Sequence, residues 1–135
     1  MSIQYNIATL INDRLNKLLA DAGNAAIFRI YSGSMPANCA TAASGTKLTD
    51  DTLPSTWMAG ASAGSVAKSG TWTLNGVAAG TAGYFRILDS GATACYMQGT
   101  ITATGGGGDM TLDNTNIASG QSVTVTGFTL TDGNA

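Results

Sequence analysis

The stretch GTAGYFRILDS at residues 80–90, with its echo IFRIYSG at residues 27–33, decides the expected fold of this chain. Both contain a Phe-Arg-Ile core, in which apolar and charged residues alternate with the period of a β-strand. Neighbouring side chains of a strand point to opposite faces, so one face of each stretch is apolar. The residues expected on this core face are Phe28, Ile30, Phe85 and Ile87.

The opposite face of each stretch carries an arginine and a tyrosine two positions apart, which therefore point the same way. These pairs are Arg29 with Tyr31 and Arg86 with Tyr84. Such a face suits a strand covered on both sides, because an arginine stem packs along apolar surface while its guanidinium binds a carboxylate or a carbonyl. The second cover is expected to be the N-terminal helix or another subunit, so these four residues are predicted interface residues. The alternative is an anionic ligand, but its usual companions, a glycine-rich strand-to-helix turn or a lysine cluster, are missing.

Residues 1–22 predict an amphipathic helix that packs on or beside the domain, because apolar residues recur at three- and four-residue spacing. This stripe comprises Ile3, Ile7, Leu10, Ile11, Leu15, Leu18 and Leu19. Ser2 is the expected N-cap, and Gly23 is the expected stop at the C-terminal end. We expect the part of the stripe that contains Ile3, Ile7 and Ile11 to contact a neighbouring subunit.

Residues 23–135 predict a single, mainly β domain, a jelly-roll-like β-sandwich of about eight strands, because short segments rich in Thr, Val, Ile and aromatic residues alternate with turn signals. The candidate strands are AAIFRIYS, TKLTD, TLPSTWM, GSVAKS, GTWTLNG, GTAGYFRILDS, TACYMQGTITA, DMTLDN and QSVTVTGFTLTD. The last of them alternates apolar residues with threonine around Gly127, the expected site of a bulge. The four glycines at 105–108 predict a wide hairpin loop rather than a linker, because both flanks resemble strands.

The composition disfavours several classes of partner. Charged residues make up only 10% of the chain, the net charge is −2, and the basic residues are scattered, whereas duplex nucleic acid binds clustered Lys and Arg. No apolar run approaches the roughly 20 residues of a membrane span. The N-terminus does not resemble a secretion signal, so we expect synthesis and use from a cytoplasm. There Cys39 and Cys95 should stay reduced, although a bridge between them is conceivable.

The sequence contains few residue types that could carry out catalysis. The chain contains no His and no Glu, so Ser-His-Asp and Cys-His arrangements are excluded and no catalytic, cofactor or metal residue is expected. Asp109 and Asp113 could in principle ligate calcium in DMTLDNTN, but capping of turns is the simpler interpretation. Trp57 and Trp72 are expected in the core, as is usual for Trp at strand centres.

Three long stretches resemble small structural proteins of tailed bacteriophages. They are FRIYSGSMPANCATAASGTKL at 28–48, AAGTAGYFRILDSGATACYMQGTI at 78–101 and GGDMTLDNTNIASGQSVTVTGFTLTDGNA at 107–135. The resemblance covers nearly the whole chain, and the order of its pieces is more specific than any single piece. It implies a virion protein and is compatible with a jelly-roll cement protein on the outer capsid shell. It carries over no functional residue, because none of its motifs has an assigned role.

The expected function is therefore that of a head cement or decoration protein that stabilises the capsid shell by bridging major capsid subunits. The expected partners are further copies of the chain, as a homodimer or homotrimer, and the major capsid protein. The protein would be assembled in the host bacterial cytoplasm and would lie on the outer surface of the virion. One alternative is a tail-tip or fibre-associated protein that grips host surface glycans through exposed Trp57 or Trp72. Another is a small depolymerase with paired Asp residues in a cleft.

Overall fold

A computed structural model describes residues 10–131 of the chain. Within them the protein is mainly β, with a short helix and a mixed multi-strand sheet that is consistent with a β-sandwich-like fold. The elements are α1 (Asn12–Ala22), β1 (Ile27–Ser32), β2 (Lys47–Thr52), β3 (Ser65–Ala67), β4 (Thr73–Asn75), β5 (Gly80–Leu88), β6 (Cys95–Ala103), β7 (Met110–Leu112), β8 (Asn116–Ile117) and β9 (Ser122–Thr131).

The helix α1 ends where the sequence predicts. Gly23 follows its last residue with a φ of 83°, a left-handed value that glycine adopts without strain, and its N–H donates to Leu19 O at 3.0 Å. The predicted N-cap Ser2 and the predicted contact residues Ile3 and Ile7 lie outside the described residues.

Two asparagines on the polar side of α1 attach the helix to the loop before β3. The Oδ1 atom of Asn12 accepts the N–H of Gly64 at 2.9 Å, and that of Asn16 accepts the N–H of Ala61 at 3.1 Å. The apolar side buries Leu15 in the core. The helix therefore uses both its apolar stripe and part of its polar face to bind its own domain.

The two Phe-Arg-Ile stretches lie side by side as the antiparallel strands β1 and β5. Their register places Phe28 opposite Ile87, Arg29 opposite Arg86, and Ile30 opposite Phe85. The repeated core is thus a cross-strand match, in which an aromatic residue of one copy packs beside an aliphatic residue of the other. All four apolar residues are buried, as predicted.

The strands follow one another in the order β2-β1-β5-β6-β7-β9-β3, with β4 paired to β9 and β8 paired to β5. Strand β4, which pairs with β9, also leads back to β2 at the other end of this order. Thr49 in β2 forms a bridge with Gly76 beyond the end of β4, and the N–H of Val77 donates to Leu48 O at 2.8 Å. The strands consequently surround a single core, whose aromatic centre is Trp72, with ring centroids 5.8 Å from Phe28 and 5.9 Å from Phe128.

The four-glycine segment is a loop, but it does not close a hairpin. β6 and β7 run parallel, with Ile101 opposite Met110, so the chain doubles back over the end of β6 within residues 104–109. Gly105 and Gly107 have φ values of 87° and 82°, and a Cβ on Gly106 or Gly108 would come within 3.0 Å of Thr102 side-chain atoms. A parallel connection normally takes a dozen or more residues. Only glycines allow so short a return, which corrects the hairpin prediction.

Eight of the predicted strand segments contain a strand, and TLPSTWM does not. There, only Met58 forms an isolated bridge, with Lys68, and Pro54 lacks the N–H that a ladder requires. The two-residue strand β8 was not expected, because its residues fall within the turn signal NTNIASGQ. The bulge predicted around Gly127 is confirmed, because the β7–β9 register shifts between Thr111, opposite Gly127, and Leu112, opposite Val125.

Candidate functional site

The face that carries the two arginines is covered by the chain itself. Residues 33–46, which connect β1 to β2 and are called here the 33–46 loop, contribute the backbone carbonyls that bind Arg86. The expected cover was the N-terminal helix or another subunit. Instead, the loop provides it for the β5 and β6 part of this face.

Arg86 is only 5% exposed and is held by neutral acceptors. Its Nε donates to Gln98 Oε1 at 3.1 Å, and its Nη2 donates to the carbonyl oxygens of Thr41 at 2.7 Å and Asn38 at 3.3 Å. Gln98 in turn donates from Nε2 to Pro36 O at 2.8 Å. Arg86 and Gln98 therefore pin the 33–46 loop to the sheet, and Arg86 is placed as a structural residue rather than at the surface.

Tyr84 is fully buried and bonds the same loop near its end. Its hydroxyl donates to Ser44 O at 2.6 Å and accepts the N–H of Ser44 at 2.9 Å. Its ring stacks on that of Tyr31, with centroids 5.2 Å apart. In this fold both tyrosines, which were predicted as interface residues, make contacts within the chain.

Arg29 lies in a more open environment and pairs with a carboxylate. Its Nε lies 2.9 Å from Asp50 Oδ1, and Lys47 Nζ lies 2.6 Å from Asp50 Oδ2. Partial burial raises the pKa of Asp50, but the hydrogen bonds from Arg29 and Lys47 outweigh it and leave the pKa below its usual range. The hydrogen bond that Arg29 donates to Asp50 in turn raises the pKa of Arg29. Arg29 remains a predicted contact residue, since its side chain is 22% exposed.

Cys39 and Cys95 form a disulfide, which corrects the expectation that they stay reduced. Their Cα atoms lie 5.4 Å apart, within the range that a disulfide spans. The physical reason is the 33–46 loop: the carbonyls of Asn38 and Thr41 bind Arg86 and so place Cys39 over the start of β6. Spacing in sequence gave no sign of this approach, because 56 positions separate the two cysteines.

The third predicted contact residue of the helix, Ile11, is fully buried in its own domain. Among residues 10–131, the large apolar side chains that remain exposed lie elsewhere, namely at Leu10, Met35, Val77 and Tyr96.

The tryptophans are core residues, as expected. Trp57 is 3% and Trp72 is 1% exposed, and their indole N–H groups donate to Gly23 O at 2.9 Å and Ser69 O at 3.1 Å. Neither indole presents a face to solvent, so the feature on which the glycan-binding alternative depended is not there.

The carboxylates considered for acid–base or calcium chemistry bind the backbone. Asp109 Oδ2 accepts the N–H of Thr100 at 2.9 Å, and Asp113 Oδ1 accepts the N–H of Thr124 at 3.0 Å. Within residues 10–131, no cluster of three or more His, Cys, Asp or Glu side chains is arranged to hold a metal ion. The two aspartates thus stand at the two ends of β7 and act as acceptors for β6 and β9.

Between β6 and β9 the sheet is open, at a place that sequence reasoning did not find. β7 separates the two strands, but it pairs with β6 only at residues 101–103 and with β9 only at residues 125–128. On the side that β7 would occupy if it were longer, residues 95–99 of β6 and 129–131 of β9 have no strand partner among the described residues. We call this opening the β6–β9 slot.

The β6–β9 slot has a volume of about 370 Å³ and an apolar floor, and the described residues place a single acidic group on its rim. The acidic group is the carboxylate of Asp109, and the floor is formed by Phe85, Met97, Phe128 and Leu130. The Phe85 and Phe128 rings pack edge to face, with centroids 5.4 Å apart. Gly99 helps to shape the floor, because a Cβ at this position would lie 2.7 Å from the Phe85 ring.

Comparison with known proteins adds no relative to this picture. No family model, no curated protein and no solved structure matches the chain. In the part of the chain that the structure covers, no helix has the length and apolar character needed to cross a bilayer. Function must therefore be argued from the residues themselves.

Proposed function

We propose that this protein is a structural protein of a bacteriophage virion, a head cement or decoration protein that stabilises the capsid shell by bridging major capsid subunits. It works as a homodimer or homotrimer on the outer surface of the capsid, after assembly in the host cytoplasm, and its jelly-roll-like β-sandwich topology belongs to the same proposal. The resemblance of residues 28–48, 78–101 and 107–135 to phage structural proteins motivates it.

One observation carries the proposal: the carboxylates of the β domain bind their own chain. Every Asp from residue 23 to residue 131 accepts a hydrogen bond within the fold, namely Asp50, Asp51, Asp89, Asp109 and Asp113. In a chain without His or Glu, this leaves few groups for acid–base catalysis. What remains for function is surface: hydroxyl side chains, a few exposed apolar residues and open strand edges, which suit permanent contact with neighbours.

The disulfide supports the proposed site on the particle. Disulfides persist on virion and cell surfaces, whereas a cytosol keeps thiols reduced. A chain assembled in the cytoplasm and then carried outside on the shell would therefore meet conditions in which the Cys39–Cys95 bond lasts.

Imaging of the intact particle tests the proposal. We expect density for the β domain on the outside of the head, at junctions between major capsid subunits, and we expect particles that lack the protein to release DNA at lower temperature. Adding purified protein back should restore the release temperature. Density at the tail tip, or heads that withstand heating equally well without the protein, would contradict the cement role.

A further inference from the structure

We propose that the β6–β9 slot binds an extended segment of another polypeptide, which enters as an additional strand in line with β7 and presents a Lys or Arg to Asp109. The inference rests on the proposed structural role only for the source of the segment, the capsid protein on which this protein docks. The slot itself is argued from the geometry of β6, β7 and β9.

The width of the slot is set by the strand that ends there. Neighbouring strands lie about 4.8 Å apart, so two strands that flank a third are separated by about 9.6 Å. β7 holds β6 and β9 at this separation through Met110, opposite Ile101 on one side and Phe128 on the other. Immediately before Met110 the chain leaves the sheet through the four-glycine loop. Where β7 ends, the gap between β6 and β9 is therefore one strand wide, and the edges that have no strand partner among residues 10–131 are long enough for a segment of three to five residues.

The backbone groups that line the slot favour a strand over a small ligand. The side chain of Gln98 binds Arg86 and Pro36 on the covered face, so this residue faces the slot with its main chain. In β9, Thr129 and Thr131 alternate with the inward-facing Phe128 and Leu130, so their side chains point away from the floor and they too line the slot with their main chain. Main-chain N–H and C=O groups require hydrogen-bond partners, and an added strand supplies them to both edges at once.

The one charged group that residues 10–131 place at the slot defines the chemistry of its occupant. Asp109 accepts hydrogen bonds from the N–H and the hydroxyl of Thr100, but no Lys or Arg of the described residues pairs with it. The floor below it is apolar. A complementary segment therefore alternates small apolar side chains, directed at Phe85 and Phe128, with polar ones directed outward, and carries a basic residue at the end near Asp109.

Synthetic peptides test this inference on the full-length protein. The probes are the capped hexapeptide KVTVTV and its reverse VTVTVK, which cover both strand directions. The amide signals of Gln98, Thr129 and Thr131 should shift on titration with one of them and exchange more slowly with deuterated water. The capped peptides KVPVPV and VPVPVK, which lack two of the required N–H groups, should not bind.

The Asp109→Asn variant keeps an oxygen that can accept from Thr100 but removes the charge, so the affinity for the lysine peptide should fall roughly fivefold, as for one partly exposed ion pair. Asp113→Asn is the matched control at the other end of β7 and should leave binding unchanged.

Three results would overturn the inference: no shift at these amides with millimolar peptide, equal binding of a proline peptide, or self-association of the protein that already protects the same amides. None of these results would contradict the cement role, which the particle experiments test separately. Conversely, a protein found away from the capsid shell would leave the slot intact and remove only the assigned source of the segment.

Discussion

Arg29 and Arg86 lie directly opposite each other on the antiparallel strands β1 and β5, yet each is hydrogen-bonded to a different kind of acceptor. Arg29 pairs with the carboxylate of Asp50, and Arg86 binds two loop carbonyls and the Gln98 amide. Like charges placed directly across a sheet repel each other. The arrangement is stable because the side chains diverge, Arg29 toward β2 and Arg86 toward the 33–46 loop.

The two arginines should therefore differ in their contribution to stability. Replacing buried Arg86 by Met leaves the Asn38 and Thr41 carbonyls and Gln98 without their donor, and should lower the free energy of unfolding by roughly 2–4 kcal/mol. Replacing Arg29 by Met removes a partly exposed ion pair and should cost about 1 kcal/mol or less. Urea unfolding of the two variants measures the difference. Equal losses would show that the loop does not depend on Arg86.

The disulfide should hold the same loop by an independent means. The bond closes a long segment of chain, because its cysteines are 56 positions apart in sequence, so its removal in a Cys39→Ser, Cys95→Ser variant should lower the free energy of unfolding by about 2–4 kcal/mol. Reduction of the native protein should give a similar loss, and limited proteolysis should then cut the 33–46 loop first. Two titratable thiols in the folded, unreduced protein would contradict the pairing.

The sequence predicted the strands better than it predicted their neighbours. Alternation of apolar and polar residues located β1, β5 and β9, because this signal is local. The similarity of the two Phe-Arg-Ile cores held a further signal: laid antiparallel, they match Phe28 with Ile87 and Ile30 with Phe85. Such a match indicates pairing rather than duplication.

The cover over Arg86 could not be predicted in the same way. The 33–46 loop contacts Tyr84, Arg86 and Gln98 through backbone carbonyl oxygens, and every residue type has a carbonyl. These oxygens belong to Pro36, Asn38, Thr41 and Ser44. The β6–β9 slot escaped prediction for a related reason. It results from the early end of β7 and the parallel return of the chain, and both depend on long-range pairing.

Neighbouring aspartates in β2 should respond to pH in opposite directions. Hydrogen bonds to Arg29 and Lys47 outweigh burial and lower the pKa of Asp50, so its ionised form stabilises the fold above the usual Asp pKa of about 3.9, and this contribution is lost as the pH falls through the lowered value. Burial raises the pKa of Asp51, although the Asn75 N–H opposes it. Ionised Asp51 therefore costs stability at neutral pH, and the cost disappears as the pH falls through the raised pKa.

Paired substitutions test this difference. At pH 7, Asp50→Asn should lower the free energy of unfolding by about 1 kcal/mol, whereas Asp51→Asn should leave it unchanged or raise it slightly. Below the pKa of the folded-state carboxyl each variant should approach the wild-type protein. Thermal unfolding between pH 7 and pH 2.5 provides both comparisons, and a loss of stability in Asp51→Asn as large as that in Asp50→Asn would refute the assignment.

The return of the chain from β6 to β7 should tolerate no side chain at Gly108. A Cβ there would lie 2.9 Å from the Cγ2, the Oγ1 and the backbone N of Thr102, so Gly108→Ala should lower the free energy of unfolding by about 1–3 kcal/mol. Gly60, around which a Cβ would meet nothing within 4 Å, supplies the control, and Gly60→Ala should change stability by less than about 0.5 kcal/mol.

A double variant separates crowding from other effects of the Gly108 substitution. Thr102→Ala removes the two crowding side-chain atoms, one of which is the hydroxyl oxygen that accepts the Gly108 N–H at 3.0 Å, so by itself it should destabilise the protein moderately. Combined with Gly108→Ala, the total loss measured by urea unfolding should be smaller than the sum of the two single losses, because the two side-chain contacts are then gone and only the backbone N of Thr102 still crowds the added Cβ. Strict additivity would mean that Gly108 is required for a reason other than its contact with the Thr102 side chain, and that part of the explanation for the parallel return would fail.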